Sequence, residues 1–447
     1  MPPRPRSLLG LRQNPRRFRR WLQLRFTPAG MVLLVAMLLS GTLGFDPEHS
    51  VAYQAFTLLF GLLLASAATA GWMRGHFEVE RELPRFVTAG LPFRYTVRVR
   101  NRTRRFQRGL SVIEEIVGPR WTARERRAWR RLRWRRILSL RRTDPHRPPV
   151  LPPQIYEAAL PPLAPGETGA TTVEAVVWRR GLLELDELAV ARTDPLGLVR
   201  VLRRVRVPQK LVVLPRRYFV PPLALPGEPR YQLGGVALAS QVGQSDEFIS
   251  LRDYRRGDPV RHIHWRSWAK VGRPIVREFE DEFFVRHALV LDTFMAWPHH
   301  EAFEAAVSVA ASLACSLPLQ ESLLDLLFVG PEAYCVTAGR GVGHVEQILE
   351  ILAAVQPCGD RPFQTLEQLV LEHTPRVSGC VCVLLGWDRT RQRFIEKLVQ
   401  LEVPVRVMVV PLAPLPAPVD PGPLRFSPER LQVLDPQQLE SQLARLT

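Results

Sequence analysis

The sequence predicts a multi-domain chain: two transmembrane α-helices, then a β-sandwich, then an α/β doubly wound domain. Three observations carry this reading. Two apolar runs without a charge lie near the start, segments alternating with period two follow them, and the last part alternates short apolar strands with helical stretches. At 447 residues the chain is long enough for two or three domains with cores of their own.

The spans come first. Residues 1–25 form a basic tail with eight arginines and no acid. Residues 26–72 then read as a transmembrane hairpin, because Phe26–Phe45 and Val51–Trp72 each match the length of about twenty residues that crosses a hydrocarbon core. The connector from Asp46 to Ser50 carries acids only, whereas arginines precede the first run and Arg74, Arg81 and Arg85 follow the second. The positive-inside bias then places both termini and the soluble domains in the cytoplasm, in a two-pass arrangement.

Period two begins after His76. In Pro92–Arg100, Phe93, Tyr95, Val97 and Val99 face one way and Arg94, Thr96, Arg98 and Arg100 the other, which is the pattern of a half-buried strand. Thr171–Trp178 and Leu182–Val190 read similarly, and Asp194-Pro195-Leu196-Gly197-Leu198 has turn chemistry. The β-sandwich is assigned to residues 76–206, interrupted by an Arg/Trp-rich insertion at 101–150. Residues 101–147 hold sixteen arginines against four acids, so this stretch and the tail carry the whole of the +18 net charge and the remainder is slightly acidic. Within Arg120–Arg142, arginines alternate with tryptophans, and Arg127, Trp129, Arg130 and Trp134 are the expected lipid-facing residues. Anionic lipid headgroups are the economical partner so close to two spans; nucleic acid, an acidic protein and a solvated insertion with no partner are the alternatives. A stiff, poorly ordered proline-rich return is expected from Pro145 to Pro165.

Residues 207–447 are assigned to a signature segment followed by the α/β domain. Strands are expected at His287–Asp292, Leu323–Val329, Tyr334–Val336, Gly379–Leu385 and Val403–Val410, with helices between them and a closing helix at Pro436–Leu446. All five cysteines lie in this part without framework spacing, which predicts reduced thiols, with Cys380 and Cys382 as core filler.

The signature segment runs from Gly243 to Glu282 and interleaves arginines, carboxylates and aromatics around Gly257-Asp258-Pro259. Arg252, Tyr254, Gly257, Asp258, Arg261, His264, Trp265, Arg273 and Glu278 are its partner-binding or structural candidates. Phe248, Leu251-Arg252-x-Tyr254, Gly257-Asp258-x-Val260-Arg261-x-Ile263-His264-Trp265 and the tail Gly272, Arg273, Val276, Glu278 resemble the bacterial family called domain of unknown function fifty-eight. The sequence departs from that family at Trp268, where a small residue is usual. The resemblance implies a C-terminal half similar to von Willebrand factor A domains. It also implies work beside a MoxR-type AAA+ ATPase, as a membrane-bound adaptor in complex maturation or remodelling.

Von Willebrand A domains hold a divalent ion at the carboxyl edge of the sheet through Asp-x-Ser-x-Ser and a further Asp. Here Asp292-Thr293-Phe294-Met295-Ala296 has lost both serines, so Asp292 and Asp388 form a poor oxygen set. A metal-assisted hydrolase built from His262, His264, Asp253 and Asp258 is the alternative function, provided 261–265 is a strand with both imidazoles on one face. Gly339-Arg340-Gly341-Val342-Gly343 fits a glycine turn better than a phosphate cradle. The sequence contains no P-loop, Gly-x-Ser-x-Gly or His-Glu-x-x-His motif. A binding module without catalytic residues, metal or cofactor is therefore expected.

Overall fold

The computed structural model describes residues 22, 24–43, 51–72, 75–115, 153–221, 248–256, 260, 263–279, 285–295, 301–317, 322–339, 344–412 and 419–446. The chain divides into two compact units, the division among the described residues falling after Val213. It is a multi-domain protein of mixed helices and sheets.

The first unit opens with α1 (Pro28–Leu43) and α2 (Val51–Trp72). Among the described residues one helix is long and apolar enough to cross a membrane, over Val51–Thr69. The 16 residues of α1 are equally apolar but reach only about 24 Å at 1.5 Å per residue, short of a core of about 30 Å. The two helices pack together closely: a Cβ at Gly41 would stand 3.2 Å from the Phe56 ring.

Two sheets follow. One has the order β1 (Phe77–Glu82), β3 (Pro92–Asn101), β7 (Thr168–Val176), β5 (Gln154–Ile155). The other has the order β2 (Phe86–Thr88), β9 (Arg200–Leu214), β8 (Gly181–Thr193), β4 (Leu110–Glu115), β6 (Ala158–Ala159). Val79, Tyr95, Val97, Val99 and Val173 from the first meet Leu110, Val112, Leu188 and Val190 from the second in one core. Burial alternates along β3 as its period-two pattern requires, and each core valine contributes about 1.5–3 kcal/mol. Inside this core the Arg81 guanidinium pairs with Glu114 at 2.6 Å, and the Tyr95 hydroxyl donates to the same carboxylate at 2.9 Å.

Three sequence assignments are corrected here. The stretch 101–150 is not all insertion, because Leu110–Glu115 pairs with β8 along its length and supplies core residues. The proline-rich return contributes β5 and β6 and buries Leu160 and Leu163. No break falls at 206/207, since β9 runs through it against β8, with a register irregularity opposite Pro208.

In the second unit β10 (Phe248–Asp253), α3 (Trp265–Val271) and β11 (Ile275–Phe279) form a ribbon with a helix between its strands. The main sheet follows, from β12 (Val285–Leu291), β13 (Ser322–Val329), β14 (Ala333–Ala338), β15 (Gly379–Leu384), β16 (Val405–Val409) and β17 (Leu431–Val433). Its order is β14-β13-β12-β15-β16-β17, parallel except for β14. Its helices are α4 (Glu301–Ser316), α5 (Val345–Ala354), α6 (Gln364–His373), α7 (Arg389–Gln400) and α8 (Leu439–Leu443). The last is shorter than the expected closing helix. Leu366 and Val370 of α6 and Phe394, Ile395 and Leu398 of α7 cover one sheet face. The almost wholly buried α4 packs on β12 and β15.

Candidate functional site

In an open α/β sheet the crevice for ligands lies beyond the carboxyl ends of the strands, where the strand order reverses direction. Here the chain leaves β12 for β13 on one side and returns to β15 on the other, so the reversal lies between β12 and β15. Asp292 follows β12 there, and Asp388 caps α7 after β15, accepting the Arg391 N–H at 2.9 Å. Asp292 is fully buried. Its Oδ1 accepts the Phe294 N–H at 2.9 Å, and its Oδ2 accepts the Leu385 N–H at 3.0 Å and the Arg391 Nε at 2.6 Å.

Arg391 closes the arrangement. Its Nη1 donates to Asp388 Oδ2, and its guanidinium lies 5.2 Å over the Phe363 ring. Burial alone would lower the Arg391 pKa, but Asp292 and then Asp388 outweigh it and hold the group above its ordinary value. The structure therefore does bring Asp292 and Asp388 to one edge, around an arginine cation that stands between them. A divalent ion would have to displace Arg391 to reach Asp292.

The signature segment is held by main-chain bonds. Tyr254 N–H donates to the Pro274 carbonyl at 3.0 Å, His264 N–H to Ile275 at 2.8 Å, and Ile263 bridges Val276. His264 heads α3, its Nδ1 2.6 Å from the Ser267 hydroxyl. Gly272 ends the helix at φ 72°, a left-handed cap that glycine adopts without strain. Arg273 pairs with Asp253 at 3.1 Å, and Arg252 donates to the Asp253 carbonyl at 3.2 Å.

The helix itself has no buried residue. Trp265 is 60% exposed and stacks on Trp268 with ring centroids 5.1 Å apart, and Leu251, Val260 and Val271 are exposed on the same segment. Glu278 lies on β11. Gly257, Asp258, Arg261 and His262 lie outside the described residues. Of the strand at 261–265 that a histidine-metal site needs, the described residues show an isolated bridge at Ile263, His264 as the cap of α3 and Trp265 as its first residue. Among the described residues no three His, Cys, Asp or Glu side chains cluster to hold a metal ion.

In the first unit, Arg120–Arg142 with Arg127, Trp129, Arg130 and Trp134 lies outside the described residues. A different feature stands out there, the turn at 194–198. Asp194 Oδ1 accepts the N–H groups of Leu198 (2.7 Å) and Val199 (2.8 Å), and Oδ2 accepts the Ser66 hydroxyl of α2 at 2.7 Å. Thr27, just before α1, donates its N–H to the Leu198 carbonyl at 3.1 Å, and a Cβ at Gly30 would stand 2.0 Å from that oxygen. The turn thus joins the sheets to both helices. The turn itself was legible from its Asp-Pro-Leu-Gly chemistry, whereas its link to α2 had only a serine within an apolar run as a local sign. Arg391 had a weaker sign, its position three residues after a capping Asp.

Comparison with known proteins adds the following. The family model described as protein of unknown function DUF58 matches residues 250–392, from β10 to the first turn of α7. The match therefore takes in both the exposed α3 and the Asp292–Arg391–Asp388 edge. The chain is also 27% identical over 176 residues to the uncharacterized protein YeaD of Bacillus subtilis (strain 168). That alignment spans 39% of this chain and 42% of the relative.

Proposed function

We propose that this protein is a membrane-anchored docking module that performs no covalent chemistry and presents its signature segment to a cytoplasmic AAA+ ATPase of the MoxR type. The observation that carries the reading is α3: a helix with two tryptophans, one of them 60% exposed, and no buried residue. Exposed aromatic patches rimmed by charge are the usual anchors of protein interfaces. The matched family region contains this helix, and the resemblance of the signature supplies the class of partner. The role is coupling ATP-driven remodelling or maturation of complexes to the membrane.

The anchor on this reading is a two-pass hairpin of α1 and α2 in the bacterial inner membrane, with both termini and the soluble domains in the cytoplasm. The apolar span of α2 and the arginines flanking the helices support it. The main sheet is read as von Willebrand A-like, from its strand order and its single antiparallel strand at the β14 edge. Its metal edge is replaced by the Arg391 ion pairs.

The test is capture of an AAA+ ATPase from the native host by the detergent-solubilised full chain, with and without ATP. Truncating an anchor tryptophan typically costs about 2 kcal/mol or more, so Trp265→Ala is expected to weaken capture on the order of thirtyfold. Capture that is unaffected by Trp265→Ala and Trp268→Ala, in a chain that still folds, overturns the reading.

A further inference from the structure

The loop at 102–109, between β3 and β4, is built from within. Asn101 is fully buried and donates from Nδ2 to the carbonyls of Arg105 (2.9 Å), Ala164 (3.1 Å) and Leu163 (3.2 Å). Its Oδ1 accepts the Thr103 N–H at 3.0 Å and hydroxyl at 2.6 Å. Gln107, also buried, exchanges both main-chain bonds with Leu163 at 2.9 Å and donates to the Thr103 hydroxyl at 3.0 Å. Two buried amides therefore fix the loop's shape before any ligand arrives. On its outer face Arg104, Arg105, Phe106 and Arg108 are exposed, with the Arg108 guanidinium 5.0 Å over the Phe106 ring. The loop contains no acid of its own.

Its place in the fold gives this face a meaning. The Thr193 N–H donates to the Gly109 carbonyl at 3.4 Å, and the Arg192 guanidinium donates to Gln107 Oε1 at 2.6 Å. The loop is thus fastened beside the 194–198 turn, which Ser66 holds against α2. Ser66 lies three residues inside the end of the apolar span Val51–Thr69, about 4.5 Å along the helix axis. The headgroup layer outside the hydrocarbon is on the order of 5–7 Å deep on each side. The turn, with Leu196 exposed, and the loop beside it therefore stand where acyl chains give way to headgroups. Guanidinium groups bind phosphate oxygens in pairs, and a phenylalanine ring can bury at the boundary of headgroups and acyl chains.

We infer that the 102–109 loop and the 194–198 turn together form a binding surface for anionic phospholipid headgroups, separate from the Arg/Trp segment downstream. This rests on the membrane reading above. It adds that the sheets are seated on the leaflet and not merely tethered to it.

The test uses the full chain in detergent, titrated with short-chain phosphatidylglycerol and, separately, phosphatidylcholine, with bound lipid resolved by native mass spectrometry. An arginine at an anionic surface is worth about fivefold in affinity, the equivalent of about 1 kcal/mol. The triple variant Arg104→Gln, Arg105→Gln, Arg108→Gln is therefore expected to lose phosphatidylglycerol binding by one to two orders of magnitude. A charge-matched control with Arg94→Gln, Arg98→Gln and Lys210→Gln is expected to keep it. Equal binding of both lipids by the wild type, or a triple variant that binds phosphatidylglycerol as the control does, overturns the surface. Alkaline carbonate extraction separates the two claims: a wild-type chain released from membranes overturns the membrane reading and this inference with it. A chain that stays with the membrane but fails the titration overturns the surface alone.

Discussion

Removing Arg391 is the sharpest test of how the carboxyl edge of the sheet is held. Asp292 is fully buried, and its charge is met by one guanidinium and two main-chain N–H groups. Arg391→Met takes away the only cation that the described residues place on it while leaving the two N–H donors. Breaking a buried pair from one side typically costs about 3–5 kcal/mol, and the remaining donors put the expectation at the lower end. Arg391→Lys keeps the charge but cannot hold Asp292 and Asp388 with a rigid fork, so a smaller loss of about 1–2 kcal/mol is expected. Asp292→Asn with Arg391→Met removes both charges and should recover much of the loss, a coupling that a double-mutant cycle reads directly.

The assay follows from where the thiols lie. Cys358, Cys380 and Cys382 are buried in this unit, and Cys380 and Cys382 sit on β15, the strand that ends at the edge in question. Their labelling rate in the full-length chain reports how often the unit opens, provided closing outpaces labelling. A loss of about 3 kcal/mol speeds labelling on the order of 150-fold, at a factor of ten per 1.36 kcal/mol. Labelling of Arg391→Met within about fivefold of wild type would refute the reasoning, since about 1 kcal/mol is all an exposed pair supplies. Magnesium or a chelator should leave the wild-type rate unchanged, because the guanidinium occupies the cation's place.

Two further outcomes are expected. Burial lowers the His287 pKa below its ordinary 6.5, so the unfolded chain takes up a proton that the folded chain refuses. The second unit should hold its full stability above about pH 6.5 and lose it as pH falls through the lower folded value. His287→Leu should flatten that dependence in the same thiol assay, and an unchanged slope would argue against it. At the helix–sheet joint, Gly30→Ala drives a Cβ into the Leu198 carbonyl and should lower the melting temperature of the detergent-solubilised chain clearly. Ser66→Ala leaves Asp194 its main-chain donors and should cost only about 0.5–1.5 kcal/mol; the reverse order would mean the joint is held otherwise.

Much of this architecture was legible because burial writes itself into local patterns. β3 alternates because one face meets the core and the other water, and β12, β13, β15 and β16 read as apolar runs because helices cover both faces. The features that escaped are those whose cause lies far along the chain. β9 carries Arg203, Arg204, Arg206, Pro208 and Lys210, and proline with dense charge hides a continuing strand from local pattern. The strand continues because Pro208 falls at the irregularity between Leu185 and Glu187 of β8, where the regular ladder is interrupted. β5, β6 and β17 have two or three residues each, too few for any period to show. Arg391 reaches Asp292 across ninety-nine positions, and nothing local marks it beyond the capping Asp388. Of the signature, the residues were plain in the sequence but their setting was not: His264 proved to head a helix, where a metal site would have needed a strand.

The closed edge and the bare helix bear on one another. A doubly wound sheet ordinarily takes its ligand at the reversal of strand order, and here that crevice is filled by the chain's own guanidinium. A helix of seven residues with nothing buried is too short to persist alone, so it is the ribbon of β10 and β11 that keeps the tryptophans outward. A tryptophan offers about 150–250 Å² to a partner, which at 25 cal/mol per Å² is about 4–6 kcal/mol when wholly covered. With 60% of Trp265 exposed, roughly 2–4 kcal/mol remains to be gained there on association, before the cost of bringing two molecules together. That is the size of a dominant interface contact. On the proposed reading the recognition surface has left the sheet edge for α3, and Trp265 is the side chain whose loss a partner would register most.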